Sequence, residues 1–330
     1  MTKGKIVLAH GGGGVQTSRL LEDVFLSRFR DPLLREMGDG AAIDGLVFTT
    51  DSFVVHPLFF PGGDIGKLAV CGTVNDLAVM GAQPLYLSVA FILEEGLEID
   101  RLEKIADSIE RTAAACGVRI VTGDTKVVEK GKGDGLYINT SGIGRPAFRV
   151  SPALSRIEPG DLVVINGPIG QHGLAVFAAR ADYGFSAEIV SDVAPLWPFV
   201  RSFSDCDVRF MRDPTRGGMA QTLNEIVSGR TFGVEIDEEE IPVEKDVRSF
   251  CEILGFDPLY LPNEGKVICV VSPGDAPRLL ETMRRDPLGK AARKIGRISD
   301  RHPGRVVLRT ALGTERIVVA ASGDLLPRIC

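Results

Sequence analysis

Apolar and polar positions switch between two periods along the first half of the chain. Leu46–Thr50 is a short apolar, β-rich run that ends at Asp51. Gly66–Met80 is a longer apolar stretch and predicts a helix, and Pro84–Ile92 predicts the strand after it. Asp100 is placed to cap a helix that runs through Cys116 and is closed by Gly117. Val118–Thr122 and Tyr137–Ile143 predict further strands, with the Gly/Lys-rich loop Lys130–Gly135 between them. Three prolines between Arg145 and Pro159 mark a break. Beyond it, Leu162–Ile165, Phe232–Ile236, Val267–Val271 and Val306–Val319 predict strands. Helices are predicted over Gly173–Ala181, Gly217–Val227, Glu244–Leu254 and Ala276–Arg284, and the region of Trp197 reads as helix or loop. The expected fold class is α/β (α+β). The expected units are residues 1–150, residues 151–320, and a flexible tail over 321–330.

Composition narrows the class. The 330 residues allow two domains with substantial cores, and 44% hydrophobic with 25% charged residues is ordinary for a globular chain. A net charge of −6 argues against nucleic-acid binding. No apolar run approaches the ~18 residues of a membrane span, and Met1–His10 lacks the apolar core of a secretory signal. Cys71, Cys116, Cys206, Cys251, Cys269 and Cys330 are dispersed, without a metal-binding pair. Four of them (Cys71, Cys116, Cys251, Cys269) sit in apolar patterns as small core residues. The expected compartment is a reducing cytoplasm.

Chemistry concentrates in aspartates and glycines. Asp39, Asp51, Asp76 and Asp124 stand at the ends of predicted elements or within an apolar helix. A carboxylate inside a helix as apolar as that of Asp76 is costly unless something polar meets it. Helical spacing puts Ala69, Thr73 and Asp76 on one face. One such Asp could cap a loop; four together suit Mg²⁺, which takes oxygen ligands and bridges to phosphates. Gly11, Gly12, Gly13 and Gly14 follow a strand-like Ile6–Ala9, and Gly62-Gly63-Asp64-Ile65-Gly66-Lys67 opens a helix. Amides in such loops bind anions, so both suggest a phosphate ligand. The segments with His172, with Asp213 and Arg216, and with Glu264 place polar groups beside glycines. Asp213 or Thr215 could equally cap the next helix.

The final residue, Cys330, follows Pro327, which breaks a helix, and the turn-favouring Ser322-Gly323-Asp324. Extended, such a tail reaches about 30 Å at about 3.3 Å per residue. In order, GGGG, GDGAA, TTDSFVV, FFPGGDIGKLAVCGTVNDLAVMGAQP, GDTKVV, NGPIGQHG, DPTRGG, PNEG and the closing PRIC resemble the hydrogenase maturation HypE family. That family lies within the superfamily of aminoimidazole ribonucleotide synthetase, thiamine monophosphate kinase and selenophosphate synthetase. The resemblance spans the chain from Gly11 to Cys330 and implies the aminoimidazole-ribonucleotide-synthetase-like fold. It also implies a homodimer whose N-terminal domains pair into a β-barrel. It implies ATP and Mg²⁺ as cofactors, and as partners the HypF carbamoyltransferase and a HypC–HypD complex. The implied reaction is ATP-dependent dehydration of a carbamoyl group on Cys330 to a thiocyanate, a source of cyanide ligands for [NiFe]-hydrogenase.

Carried over by that resemblance, Lys126 and Glu264 contact the modified cysteine. In one reading they stabilise charge and deprotonate nitrogen; in the other Lys126 binds only phosphate and Glu264 only orients the tail. His172, Asp213 and Arg216 fall to the nucleotide or tail site, Thr73 and Asn75 flank the nucleotide, and Lys67 belongs to its loop. Asp39-Gly40 departs from related kinases, which often carry two aspartates there. Three readings stand: an enzyme acting on its own tail, a carrier whose nucleotide pocket only switches tail docking, and a small-molecule kinase. A kinase has no need of Cys330, and ATPase activity separates enzyme from carrier.

Overall fold

The structure, a computed structural model, describes residues 4–180, 189–323, 326 and 328–330. A short helix α1 (Val15–Leu20) precedes an open five-stranded sheet. Its strands are β1 (Ala41–Ile43), β2 (Leu46–Phe53), β5 (Ala82–Glu94), β6 (Arg119–Val128) and β7 (Leu136–Pro146), in the order β1-β2-β7-β5-β6. A small ribbon, β3 (Phe59–Phe60) with β4 (Gly63–Asp64), leads into helix α2 (Ile65–Val79). Helix α3 (Ile99–Cys116) makes the crossover between β5 and β6, which pair in parallel.

Helix α2 is buried almost all round, as its apolar composition requires. It packs against β2, β5 and β7 on one face of the sheet. Helix α3 ends at Gly117, whose left-handed φ of 69° a glycine adopts without strain. Asp100 does not cap it: the cap position is Glu98, without a side-chain bond, and Asp100 lies in the first turn. The run Ile6–Ala9 forms no strand. It has no neighbour to pair with, stays exposed, and turns into a 3-10 segment at Leu8–His10. The sheet is not closed within one chain, so the barrel implied by resemblance is not found here.

The second half holds a seven-stranded sheet. Its strands are β8 (Leu162–Ile165), β9 (Val208–Arg212), β10 (Gly233–Asp237), β11 (Ile268–Val271), β12 (Arg293–Ser299), β13 (Val306–Arg309) and β14 (Glu315–Val318). The order is β14-β13-β10-β12-β8-β11-β9. Around it lie α4 (Gln171–Arg180), α5 (Trp197–Arg201), α6 (Gly218–Val227), α7 (Lys245–Leu254) and α8 (Ala276–Arg284). The single strand expected over Val306–Val319 is a hairpin, turned where Gly313 adopts φ 79°. The expected helix end at Ala181, and Asp324 and Pro327 of the tail, lie outside the described residues.

β8 and β11 are buried on both faces, which explains their continuous apolar runs. Val163, Ile165, Ile268 and Val270 join one core with α6; Val164, Cys269 and Val271 join the other. That second core continues without a break into α2 and β2. The proline-rich connection is itself packed, with Phe148 buried edge-to-face on Phe203.

Candidate active site

Strand alternation turns Val47, Thr49, Asp51 and Phe53 toward α2 and leaves Leu46, Phe48 and Thr50 outward. Asp76 on α2 meets this inner face, and its Oδ2 lies 2.8 Å from the Thr49 hydroxyl. Asp39 enters from the loop before β1. Asp213 enters from the segment after β9. Asp39, Asp76 and Asp213 each offer an oxygen within 4.8 Å of the others. They line a cavity of about 250 Å³ shared with Asp51, Arg216, Glu264 and Cys330.

The carboxylates repel one another. Burial first, then Asp213, Asp51 and Asp39, holds the Asp76 carboxyl well above the usual range. Burial and Asp39 push Asp213 up to about 7. Asp39 and Asp51 are raised by burial too, against the opposing pull of Arg212 and Arg216. Arg212 Nε sits 3.3 Å from Asp39 and its other arm 3.0 Å from Glu225, while Arg216 lies 3.9 Å from Asp51. Three converging hard oxygen donors that cost energy when ionised form a set that a divalent cation relieves.

Glu264 stands at the edge of this cavity, buried, with no hydrogen-bond partner for Oε1. Burial, Asp213 and Asp192 raise its carboxyl well above the ordinary value. Its backbone is held rigidly: Asp192 accepts from the amides of Glu264 and Gly265, each at 3.2 Å, and pairs with Lys266 at 3.0 Å. Asn75 donates to the carbonyls of Ala194 and Glu264 and accepts from Leu196 N. Asn75 therefore ties the two halves together rather than lining the cavity.

The tail is docked, not a loose arm. The amide of Val54 donates to the Cys330 carbonyl at 3.3 Å, and that of His56 to Arg328 at 3.1 Å. Leu326 and Ile329 are buried. His172 is fully buried, and burial lowers its pKa. Its Nε2 donates to the Ile329 carbonyl at 3.0 Å, since a carbonyl only accepts, and its Nδ1 faces the Ser191 hydroxyl at 2.8 Å. Cys330 lines the acidic cavity on one side and, with Gly11, Gly12 and Arg216, a cavity of about 90 Å³ on the other. Gly13 reaches the acidic cavity. A side chain there would strike Arg216, and one at Gly14 would strike the Ala321 carbonyl, 2.1 Å from its Cβ position.

Other expected residues fall elsewhere. Asp64 fills the N-terminus of α2 itself, accepting from Gly66 N at 2.7 Å and Lys67 N at 3.1 Å, and Lys67 Nζ turns back to Gly62 O. That loop is therefore satisfied without an anion. Thr73 is buried against Thr140 of β7. Asp124 and Lys126 pair with each other at 2.7 Å on the exposed edge strand β6, away from the cavity of their own chain. Sequence reasoning assigned Asp213 to the nucleotide or tail site rather than to the carboxylate cluster. It gave no role to Arg212 and Lys266, although both lay in singled-out segments, and passed over Asp192 altogether.

Models of AIR synthase related proteins match both halves, the N-terminal domain over residues 37–145 and the C-terminal domain over 158–309. Carbamoyl dehydratase HypE of Rhodobacter capsulatus is 47% identical, covering 99% of this chain and 98% of that protein. A solved HypE–HypF complex has a chain 47% identical, with a TM-score of 0.88 over 92% of this chain and 99% of that one. A solved HypE in complex with ATP is 44% identical, with a TM-score of 0.83 over 99% of this chain and all of that one.

Proposed function

The chain belongs to the HypE carbamoyl dehydratases of the AIR synthase superfamily, and from that premise we propose that it uses ATP to dehydrate a carbamoyl group carried on its own Cys330. It is a dehydratase of hydrogenase maturation that works with ATP. The observation that carries the finer reading is the position of Cys330, lodged between the carboxylate cavity, Arg216 and Glu264.

The carbamoyl oxygen attacks the γ-phosphorus of ATP, ADP leaves, and one N–H proton passes to a base, giving an imidoyl phosphate on the sulfur-bound carbon. The nitrogen then gives up its last proton as the C–O bond breaks, releasing phosphate and leaving S–C≡N. Oxygen alone is a poor leaving group, and the phosphoryl transfer makes it a good one. Asp39, Asp76 and Asp213, with Asp51 beside them, would hold Mg²⁺, which neutralises phosphate charge when bound. Arg216, held charged by Cys330, Asp51 and Glu264, stabilises negative charge beside the sulfur. Glu264, buried with an unpartnered oxygen and a raised carboxyl, is suited to take a proton from nitrogen. The backbone of Gly11, Gly12 and Gly13 lies at the same mouth and suits the phosphates.

Asp124 and Lys126 enter through a homodimer. The outer sheet face carries Leu46, Phe48, Tyr86, Ile92 and Ile143, all exposed, and β6 is exposed on both faces. Pairing these faces completes the barrel and lets a second copy bring its Asp124 and Lys126 to the nucleotide. HypF would load the carbamoyl group, a HypC–HypD complex would accept the cyano group for the hydrogenase iron, and the work is cytoplasmic. The test is the mass of the C-terminal peptide after incubation with carbamoyl phosphate, HypF and Mg-ATP. It should first gain a carbamoyl group and then lose one water, with stoichiometric ADP. A Cys330→Ala protein whose ATP turnover and modification match those of the native protein would sink the proposal.

A further inference from the structure

The residues that hold the docked tail lie outside the acidic cavity, and they centre on Arg328. Its side chain forms an ion pair with Asp134, in the Lys130–Gly135 loop that the reaction does not use. Its carbonyl accepts from His56 N at 3.1 Å and from the guanidinium of Arg180, which also donates to His56 O. Arg328 adopts φ 58°, the left-handed region that a non-glycine residue enters only against a steric cost. The docked tail is therefore a strained conformation that its contacts must offset. Arginines gather here: burial first, and then Arg328, Arg180 and Arg101, depress the His56 imidazole. Among the described residues, Asp134 is the carboxylate paired with Arg328, and it lies 3.8 Å from His56 as well.

We propose that Asp134 is a positioning residue that latches the C-terminal segment through Arg328 and so delivers Cys330 to the acidic cavity. Without the carboxylate, Arg328 loses this ion pair, which no longer offsets the strain at its backbone. The tail then spends more of its time undocked, with the thiol open to a loading partner and away from Glu264 and Arg216. The latch sets the balance between loading and dehydration. That consequence rests on the proposed function, whereas the latch itself does not.

Two readouts keep the two claims separate. Cys330 is the one cysteine that is not buried, so its alkylation by iodoacetamide, followed by peptide mass, reports undocking. Asp134→Ala and Arg328→Ala should each raise that rate about three- to tenfold, as expected when a partly exposed ion pair is lost. The melting temperature should stay unchanged, and Asp134→Glu should restore the native rate. The pair Asp134→Arg with Arg328→Asp should alkylate more slowly than Asp134→Arg alone. Alkylation at the native rate in both alanine variants overturns the latch. In the loaded system, Asp134→Ala should accept carbamoyl groups faster and dehydrate them more slowly. If alkylation rises but no protein, native included, loses water with ATP, the latch stands and the proposed function fails.

Discussion

Replacing Asp213 by asparagine separates the cost of the carboxylate cluster from its use. Its carboxyl is pushed from 3.8 up to about 7. At roughly 1.4 kcal/mol per pKa unit, keeping it ionised in the cation-free fold costs about 4 kcal/mol. Coulomb's law agrees in size. Two charges at the 4.8 Å limit of the cluster repel by roughly 3 kcal/mol at an effective dielectric of about 20. The folded pKa lies above the unfolded one, so this group's contribution to stability is intact below about pH 4 and lost as pH rises toward 7. Asp213→Asn removes the charge and keeps most of the shape, and Arg212 retains Asp39 and Glu225. In metal-free buffer at pH 7.5 the variant should gain about 1–3 kcal/mol, because the new amide recovers only part of the relieved repulsion. It should melt several degrees higher, at about 2–4 °C per kcal/mol for a chain of this order. At pH 4 the two proteins should converge. Scanning fluorimetry with and without Mg²⁺ reads both effects: the native protein should melt higher with Mg²⁺, and that rise should vanish in the variant. A lower melting point at pH 7.5 together with an undiminished Mg²⁺ response would refute the reasoning.

His172 should make the fold less stable in acid. Burial first holds its pKa below 6.5, against the pull of Asp192 and with help from Arg180, so its contribution is present above that pH and lost as pH falls. Urea unfolding at pH 8, 6.5 and 5 should show a decline that His172→Gln flattens. Gly14→Ala drives a Cβ into the Ala321 carbonyl. The clash should cost about 1–3 kcal/mol and raise Cys330 alkylation with little loss of secondary structure by circular dichroism. Phe48→Asp, on the exposed outer face of the first sheet, should convert a dimer to monomers in sedimentation velocity; an unchanged dimer would show that this face is not the interface.

Most elements could be read from the chain because their signals are local. Gly66–Met80 is mostly apolar, and the observed Ile65–Val79 helix is buried on nearly every side. β8 and β11 are unbroken apolar runs because both faces meet a core. The misses were also local signals, overruled by neighbours. Ile6–Ala9 has strand composition but no partner strand, and Asp100 has a capping side chain but sits inside the helix it was expected to start.

The chemical inventory is legible in the order of residues alone: Cys330, aspartates placed in apolar surroundings, and glycines beside them. Proximity was decided only in three dimensions. Asp39, Asp76 and Asp213 are far apart along the chain, and nothing local in any of them records that their oxygens converge. Asp76 and Asp124 read alike as strand- or helix-borne carboxylates, yet one is buried in the cluster and the other is paired with Lys126 on an exposed edge. The same holds for the tail. Its flexible composition permits many positions, and the docked one is selected by His172, by Val54 and His56, and by Asp134, contributed by three separate segments. Backbone preference acts between near neighbours in sequence, whereas packing and charge act between whatever the fold brings together.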